Sequence, residues 1–253
     1  MTTQSIDFNS DLGEGYGWWE RGADEAMLSC VSSANIACGF HAGDPGTMRS
    51  SVTRALQGKV AIGAHPGYPD LLGFGRRRLD VAASDVRNYV LYQVGALAAF
   101  AGAAGARLHH VKPHGALYMT ALEDAAVARA IAEAAAEHDD SLFVYTLEGS
   151  EMWHAALKAG LPAAAEFFAD RPMRPDGSVV MFQWWEQFEA TPESVSSRVR
   201  EFLSTGTVTA TDGRPVSVRA ETICVHSDTP GAGLIGPAVR AALDQSGVTV
   251  SAP

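Results

Sequence analysis

The stretch ANIACGFHAGDPGTMRSSVTRALQGKVAIGA, residues 34–64, contains a complete strand–helix–strand unit and decides the fold class. The apolar run Ala34–Cys38 predicts a strand. Pro45 favours the first turn of a helix, because its missing amide hydrogen has no partner to lose there, and we expect that helix to continue to Gln57. A second apolar run, Lys59–Ala64, predicts the next strand. This succession indicates parallel strands with helices packed outside them.

The same alternation continues in both directions along the chain. Ser84 is a candidate N-cap for a helix with apolar residues at close to the helical period, and an Ala-rich helix is predicted over Glu123–His138. Asp212-Gly213, between two short apolar runs, predicts a β-hairpin inserted at the surface. Seven or so repeats in 253 residues favour a closed α/β barrel over an open sheet. Because no linker interrupts them, we expect residues 1–253 to form a single domain.

Composition excludes several classes of protein. Hydrophobic residues make up 47% of the chain and charged residues 19%, which is typical of a globular protein. The net charge of -10 argues against a nucleic-acid binder. Three cysteines without a CxxC pattern favour a reducing compartment over a disulfide scaffold. Neither a signal peptide nor an apolar stretch long enough for a bilayer is visible, so we expect a cytoplasmic protein that does not bind membranes.

Polar residues recur just after the predicted strands. The carboxyl ends of the strands of an α/β barrel converge on one face, where active sites lie. A single histidine at such a position is usually structural, but four histidines and three aspartates at equivalent positions predict a functional site. The polar residues placed in this way are Asp11, His41, His65, Lys112, His114, Asp170, Arg171, His226 and Asp228.

Missing motifs narrow the chemistry of this site. The sequence has no G-x-S-x-G nucleophile elbow, no G-x-x-x-x-G-K-[ST] phosphate loop and no H-E-x-x-H zinc helix. The mechanism that these absences leave open is acid–base catalysis by Asp and His, in which Lys or Arg stabilises a developing negative charge. Three of the histidines and one aspartate could instead bind a divalent metal that activates water.

Six longer motifs are distributed over most of the chain. They are DFNSDLGE at 7–14, ANIACGFHAGDP at 34–45, GAHPGYPD at 63–70 followed by GFGRR at 73–77, VKPHGALY at 111–118, FADR at 168–171 and ICVHSDTP at 223–230. Together they resemble the LamB/YcsF family. The chain departs from the usual pattern of that family at Ser10 and Ser227, and most clearly over 173–187, where it reads SVVMFQWW at 178–185.

The resemblance implies a seven-stranded barrel like that of the glycoside hydrolase/deacetylase superfamily. It implies cleavage of 5-oxo-L-proline to L-glutamate coupled to hydrolysis of ATP to ADP and phosphate, with two partner subunits, B and C, that help to handle the ATP. The catalytic residues would be Asp11, His41, His65, Lys112 and His114. The substrate would be bound by Asn9, Arg77, Asp170, Arg171, His226 and Asp228.

The implied reaction is consistent with these residue types. A five-membered lactam is an unactivated amide, and ATP can phosphorylate its carbonyl oxygen. Asp11 or a histidine is suited to act as the base for water, and Lys112 or Arg171 to stabilise the developing charge. An Arg or Lys is expected to bind the carboxylate of the substrate. The aromatic segment Phe182–Phe188 is a candidate docking surface for the partners.

Two other functions stay open from the sequence. One is a stand-alone metal-dependent amidohydrolase or deacetylase that acts on another substrate, which tight metal retention after purification would favour. The other is a non-catalytic regulatory protein of the complex, which intact function after loss of His114 would favour.

Overall fold

The computed structural model describes residues 5–253, and this part of the chain folds into ten strands and eight α-helices. In chain order the elements are β1 (Ser5–Leu12), α1 (Asp24–Leu28), β2 (Ser33–Ala37), α2 (Pro45–Gln57), β3 (Ala61–His65), α3 (Ala83–Ala103), β4 (His110–Val111), α4 (Gly115–Glu123), α5 (Ala125–His138), β5 (Phe143–Thr146), α6 (Glu151–Lys158), β6 (Ala163–Phe168), α7 (Pro192–Thr205), β7 (Thr207–Thr209), β8 (Pro215–Ser217), β9 (Thr222–Cys224), α8 (Ala232–Gln245) and β10 (Thr249–Val250). A short 3₁₀ turn at Trp184–Glu186 precedes α7.

The strand order confirms the predicted fold class, a closed parallel barrel with helices. The order is β1-β2-β3-β4-β5-β6-β9, and β9 pairs back with β1, so seven strands complete the barrel. The pairs β3–β4, β4–β5, β5–β6, β6–β9 and β9–β1 are all parallel. β10 adds a short parallel pairing to β1. The predicted hairpin forms a separate antiparallel sheet of β7 and β8.

The chain divides into two compact units. The larger unit consists of Asp11–Arg21 and Ala34–Ala165, and the second unit of the residues up to Ser10, Gly22–Ser33 and Glu166–Pro253. The expectation that residues 1–253 form a single domain stays a prediction.

In the larger unit, α2 spans Pro45–Gln57, as the sequence predicts. Its start is fixed by a side-chain cap. The carboxylate of Asp44 accepts hydrogen bonds from the backbone amides of Gly46 and Thr47 at 2.8 and 3.1 Å. Pro45 occupies the first turn. An N-cap of this kind satisfies amides that have no partner within the helix.

Two predictions about helices in the larger unit were wrong. Ser84 is not an N-cap: α3 begins at Ala83, and its N-cap Ala82 makes no side-chain hydrogen bond. The single helix predicted over Glu123–His138 is instead the end of α4 and the whole of α5. Asp124 separates them, because its carboxylate caps α5 by accepting from the amide of Ala126 at 2.9 Å.

In the second unit, helix α7 is capped at both ends by residues that favour helix termini. Thr191 and Ser194 form a capping box at its start, with the amide of Ser194 donating to Oγ1 of Thr191 at 3.1 Å. Gly206 ends the helix at φ 68°, a left-handed conformation that glycine adopts without steric cost.

None of the helices within residues 5–253 is long and apolar enough to cross a membrane. The cytoplasmic location stays a prediction.

Candidate active site

The larger unit gathers five of the sequence-predicted site residues into one buried cluster. Asp11 lies near the end of β1, His41 follows β2, His65 ends β3, and Lys112 and His114 follow β4. All five residues are nearly inaccessible to solvent, the most exposed at 3%. Burying this many ionisable groups costs free energy unless they are paired or neutralised, so their partners define the chemistry.

Asp11 is the centre of one set of contacts. Its Oδ1 lies 3.2 Å from Nζ of Lys112 and accepts a hydrogen bond from Nδ2 of Asn35 at 2.8 Å. Its Oδ2 lies 3.4 Å from Nε2 of His65. A carboxylate held between an ammonium group and an imidazole can take a proton from water while the ammonium group stabilises a developing negative charge.

A hydrogen-bonded chain continues from Asn35 away from Asp11. The side-chain nitrogen of Asn35 donates to Asp11, and its side-chain oxygen accepts from Nε2 of His110 at 2.7 Å. The ring of His110 stacks on Tyr145 with centroids 4.1 Å apart. Gly63 makes room for this ring, since a Cβ at residue 63 would lie 2.0 Å from Nε2 of His110. These hydrogen bonds fix the orientation of the Asn35 side chain and, through it, the orientation of Asp11.

The three histidines pack against one another. The rings of His41 and His114 stack with centroids 3.7 Å apart, and His65 meets them edge-on. Gly75 permits the stack, because a Cβ there would lie 2.7 Å from Cβ of His41 and 2.8 Å from Cδ2 of His114. Its φ of 62° also favours glycine.

Glu14 belongs to this cluster, although sequence reasoning did not select it. Its Oε1 lies 3.4 Å from Nδ1 of His114 and 3.6 Å from Nε2 of His41. The signal was present in the spacing of Asp11 and Glu14 within DFNSDLGE, where the left-handed Gly13, at φ 69°, turns the chain just beyond β1.

His41 and His114 are held in their neutral form. Burial lowers the pKa of His41 and of His114 well below the ordinary value, and repulsion from His65 lowers both further. Neutral imidazole is the form that binds metals. The ligand atoms of Glu14, His41, His65 and His114 all lie within 4.8 Å of one another, so this group could hold a metal ion.

The loop after β3 closes over the histidines. The backbone oxygen of Phe74 accepts from Nε2 of His114 at 2.8 Å. Asp70 holds the loop together by accepting from the amide of Gly73 at 3.0 Å and from Nε of Arg77. The Arg77 side chain is 64% exposed. Its predicted role in binding substrate stays a prediction.

The second unit contains a separate buried cluster around Asp170. The carboxylate accepts from an Arg171 guanidinium nitrogen at 2.8 Å, from the hydroxyl of Thr229 at 2.6 Å and from the amide of His226 at 3.0 Å. Burial alone would raise the pKa of Asp170, but the charges of Arg171 and His226 hold it well below its usual range. Asp228 lies 4.0 Å from the Arg171 guanidinium.

Arg171 retains binding capacity despite these contacts. It is 2% exposed, and the face of its guanidinium lies over Trp184, 4.4 Å from the ring centroid. Its Nε has no hydrogen-bond partner within the described part of the chain. A buried guanidinium with an unused donor suits a carboxylate ligand.

Asn9 lies in the second unit and has a structural set of partners. Its Nδ2 donates to Thr222 at 2.7 Å and to Glu166 at 3.1 Å. Oγ1 of Thr222 donates in turn to Asp7. This buried network ties β1, β6 and β9 together, and the predicted contact between Asn9 and substrate stays a prediction.

Two segments present aromatic side chains. In the predicted docking segment, Trp184 is buried beneath Arg171, while Phe182 and Trp185 are exposed. The second segment is a tight hairpin at residues 16–19, where Tyr16 and Trp19 exchange backbone hydrogen bonds of 2.8 and 2.9 Å. Trp18, at its tip, is fully exposed, and Trp19 is 75% exposed.

Fold and site together define a parallel α/β-barrel protein with a buried cluster of histidines and carboxylates. Residues 6–253 match the model of the LamB/YcsF family, and the chain belongs to that family. The resemblance of the six motifs is therefore confirmed.

Relatives match over nearly the whole chain. A protein of Syntrophobacter fumaroxidans, named as the A subunit of 5-oxoprolinase, is 48% identical over 246 residues, which is 97% of each chain. A protein of the same name from Heliobacterium modesticaldum is 47% identical over 98% of this chain and 97% of its own. The crystal structure of a lactam utilization protein from Thermus thermophilus has a TM-score of 0.93 and 44% identity, and covers 99% of this chain and 100% of its own.

Proposed function

We propose that this protein is the A subunit of an ATP-dependent 5-oxoprolinase, a hydrolase that opens 5-oxo-L-proline to L-glutamate. The names of its full-length relatives support the substrate. The observation that carries the reaction type is the buried contact of Asp11 with Lys112 and His65, at 3.2 and 3.4 Å. A base, a cation and an imidazole in contact are what the addition of water to a carbonyl carbon requires.

In the proposed reaction, transfer of a phosphoryl group from ATP to the lactam oxygen makes the ring carbon electrophilic. Asp11 takes a proton from a water molecule that adds to this carbon, and Lys112 stabilises the negative charge that develops on the added oxygen as it becomes the carbonyl oxygen of the product. The ring C–N bond then breaks, the nitrogen takes up a proton, and an acyl phosphate is formed. A second water molecule releases phosphate and leaves glutamate. The binding of the substrate carboxylate by Arg171, which has an unused Nε, stays a prediction.

Partner subunits are part of this proposal. The sequence lacks a phosphate loop, so the ATP chemistry is assigned to the complex rather than to this chain alone. We place the docking surface at the 16–19 hairpin. Its backbone bonds and the hydrogen bond from the amide of Gly17 to Asp44, 2.9 Å long, hold Trp18 and Trp19 rigidly in an exposed position. Preorganised tryptophans are typical anchors of protein interfaces.

The neighbouring charges indicate the chemistry of the partner surface. Arg21, two residues beyond Trp19, lies 3.9 Å from the centroid of the Phe74 ring, which Arg76 approaches to 5.0 Å, so the hairpin is followed by a cation in a chain whose net charge is -10. An apolar pocket with an acidic rim on the partner would complement both features.

The test is reconstitution. The chain is assayed alone and together with its partner subunits for glutamate formation from 5-oxoproline, with and without ATP. We expect activity only from the complex with ATP, and its loss in Asp11→Asn. Activity of the single chain with ATP would contradict the need for partners, and unchanged activity of the Asp11→Asn complex would favour a regulatory role.

A second function is favoured by a specific observation. The cluster of Glu14 and three histidines could hold a metal, as in a metal-dependent amidohydrolase. Amide hydrolysis by the isolated chain, dependent on a divalent metal and independent of ATP, would establish that function instead.

A further inference from the structure

Arg198, on α7, is a buried cation of the second unit that the proposed function does not use. The residue is 7% exposed. Its Nη1 donates to the backbone oxygens of Ala169 and Arg171, at 3.0 and 2.6 Å. These two carbonyls flank Asp170, so Arg198 holds the backbone on both sides of that residue. Each carbonyl takes one of the two hydrogens of Nη1, which uses both donors of this nitrogen.

The other two nitrogens of Arg198 have unused donors. Nε and Nη2 are buried, and neither has a hydrogen-bond partner within residues 5–253. They form one edge of the planar guanidinium, from which an N–H of each nitrogen points in the same direction. A carboxylate places two oxygen atoms at the spacing of such an edge and accepts both hydrogen bonds at once. The unused donors of Arg198 therefore match a bidentate carboxylate.

The charge of Arg198 also lacks a close counterion. Within the described part of the chain, its hydrogen bonds go to neutral backbone oxygens alone. Buried charges in proteins are as a rule paired with an opposite charge. Burial lowers the pKa of Arg198 to about 10, and the charges of Asp170 and Glu201 oppose this shift only in part. The side chain stays protonated at neutral pH, so a water molecule would satisfy its donors but not its charge.

Two aromatic rings pack against this guanidinium. The ring centroids of Phe188 and Phe167 lie 5.0 and 5.5 Å from its carbon atom. Phe167 is buried in β6, whereas Phe188 is partly exposed. The backbone amide of Phe188 donates to the oxygen of Trp184 in the turn just before it, so this hydrogen bond is local. Displacement of the Phe188 side chain therefore gives a short path from solvent to Arg198.

We propose that the Nε–Nη2 edge of Arg198 binds the carboxylate of a small organic acid beneath Phe188. The surrounding rings favour a ligand that carries an apolar part beside its carboxylate over a strongly hydrated inorganic anion. A charged pair formed next to such apolar groups is also stronger than the same pair in water. The site lies within the second unit, and it does not depend on the proposed function.

The test is binding of carboxylates to the intact chain, measured by calorimetry. The probes are acetate, L-glutamate and 5-oxo-L-proline, with acetamide and 2-pyrrolidinone as matched molecules that lack a carboxylate. We expect saturable binding of one equivalent of at least one acid and of neither neutral molecule. Arg198→Lys should weaken this binding about tenfold or more, because lysine keeps the charge and can donate to both carbonyls but has no edge of two parallel N–H groups.

Arg200→Lys is the matched control, because it makes the same substitution at an exposed position of α7 and should bind the acid as the wild type does. Phe188→Glu tests the site without altering Arg198. Its carboxylate competes for the same edge, so it should also lose the binding, and Phe188→Gln should retain it.

Two results would overturn the proposal. One is that none of the three acids binds to the wild-type chain, whose folding is checked by circular dichroism. The other is that Arg198→Lys or Phe188→Glu binds the acid as tightly as the wild type. Glutamate formation by the complex is measured separately, so the carboxylate site and the proposed function fail independently.

Discussion

Nζ of Lys112 lies 3.2 Å from Oδ1 of Asp11, and both side chains are buried. The same carboxylate contacts Asn35 and His65, so it is anchored on three sides. A buried pair of this kind contributes little net stability, because removing two charges from water offsets their attraction. Its value lies in placing a base and a cation side by side.

Lys112→Met should therefore destabilise the protein strongly. The variant leaves the Asp11 carboxylate buried without its cation, and breaking a buried pair in this way costs about 3–5 kcal/mol. The free energy of unfolding, measured in urea, checks this. Asp11→Asn in the same chain should restore part of the loss, because it removes the uncompensated charge.

Arg87→Met is the matched control for the loss of a cation from an ion pair. Arg87 pairs with Glu137 on the surface, and both side chains are nearly half exposed. Exposed pairs contribute about 1 kcal/mol or less. Equal losses in the Lys112→Met and Arg87→Met variants would contradict the buried character of the Lys112–Asp11 pair.

The barrel and most of the cluster in the larger unit could be predicted because strand ends can be located from sequence. Asp11, His65 and Lys112 follow apolar runs directly, and parallel topology brings such positions together. Glu14 was missed because it lies beyond β1, in a loop whose course depends on the turn at Gly13. The burial of Trp184 depends on its contact with Arg171, and that contact has no local signal.

His110 illustrates the same limit. Its position within a strand could be predicted, but its partners, Asn35 and Tyr145, come from neighbouring strands and so could not be deduced from local sequence. Helix α4 was missed for a related reason. Its N-cap His114 makes no capping hydrogen bond from its side chain, because that ring contacts His65 and Phe74 instead.

Stability should fall as the pH is lowered below 6.5, in part because of His110. Burial, followed by repulsion from His109 and Lys112, lowers the pKa of His110 well below the ordinary 6.5. Between the two pKa values the unfolded chain binds a proton that the folded chain does not, so protonation favours unfolding. One such group contributes about 1.4 kcal/mol per pH unit. Unfolding free energies measured between pH 7.5 and 5 should show this slope.

Replacing His110 isolates its share of that slope. His110→Gln should flatten the dependence by about 1.4 kcal/mol per pH unit, because only one titrating group is removed. His154→Gln makes the same substitution at an exposed position and serves as its control. An identical slope in wild type and His110→Gln would show that His110 takes up its proton equally in both states.

Trp18→Ala and Trp19→Ala should weaken binding of the partner subunits. Exposed aromatic anchors commonly contribute 2 kcal/mol or more to an interface, which corresponds to a loss of affinity of about 30-fold. Binding of the purified partners is measured by calorimetry. Trp185→Ala is the comparison in the segment that the sequence had suggested, and its 62% exposure makes it a fair match. A greater loss in Trp185→Ala would move the docking surface to Phe182–Phe188.

Asp44→Ala should destabilise the protein and loosen the 16–19 hairpin together. Asp44 caps α2 and also accepts from the amide of Gly17 at 2.9 Å. The loss of an N-cap costs about 1 kcal/mol. Hydrogen bonds from Thr47 and Gly17 lower the pKa of Asp44 from 3.8 to about 2, so its contribution is complete above pH 3.8 and is lost as the pH falls toward 2.

Two measurements separate these effects of Asp44. Urea unfolding at neutral pH gives the lost stability. Tryptophan fluorescence anisotropy reports how freely the hairpin moves, once the signal of the other three tryptophans is subtracted by measuring each protein with Trp18 and Trp19 replaced by Phe. Thr47→Val is the control, because it removes one side-chain hydrogen bond to Asp44 but leaves the contact with Gly17 intact. We expect lower anisotropy in Asp44→Ala only. If both variants leave it unchanged, Asp44 does not hold the hairpin, and its role is confined to the start of α2.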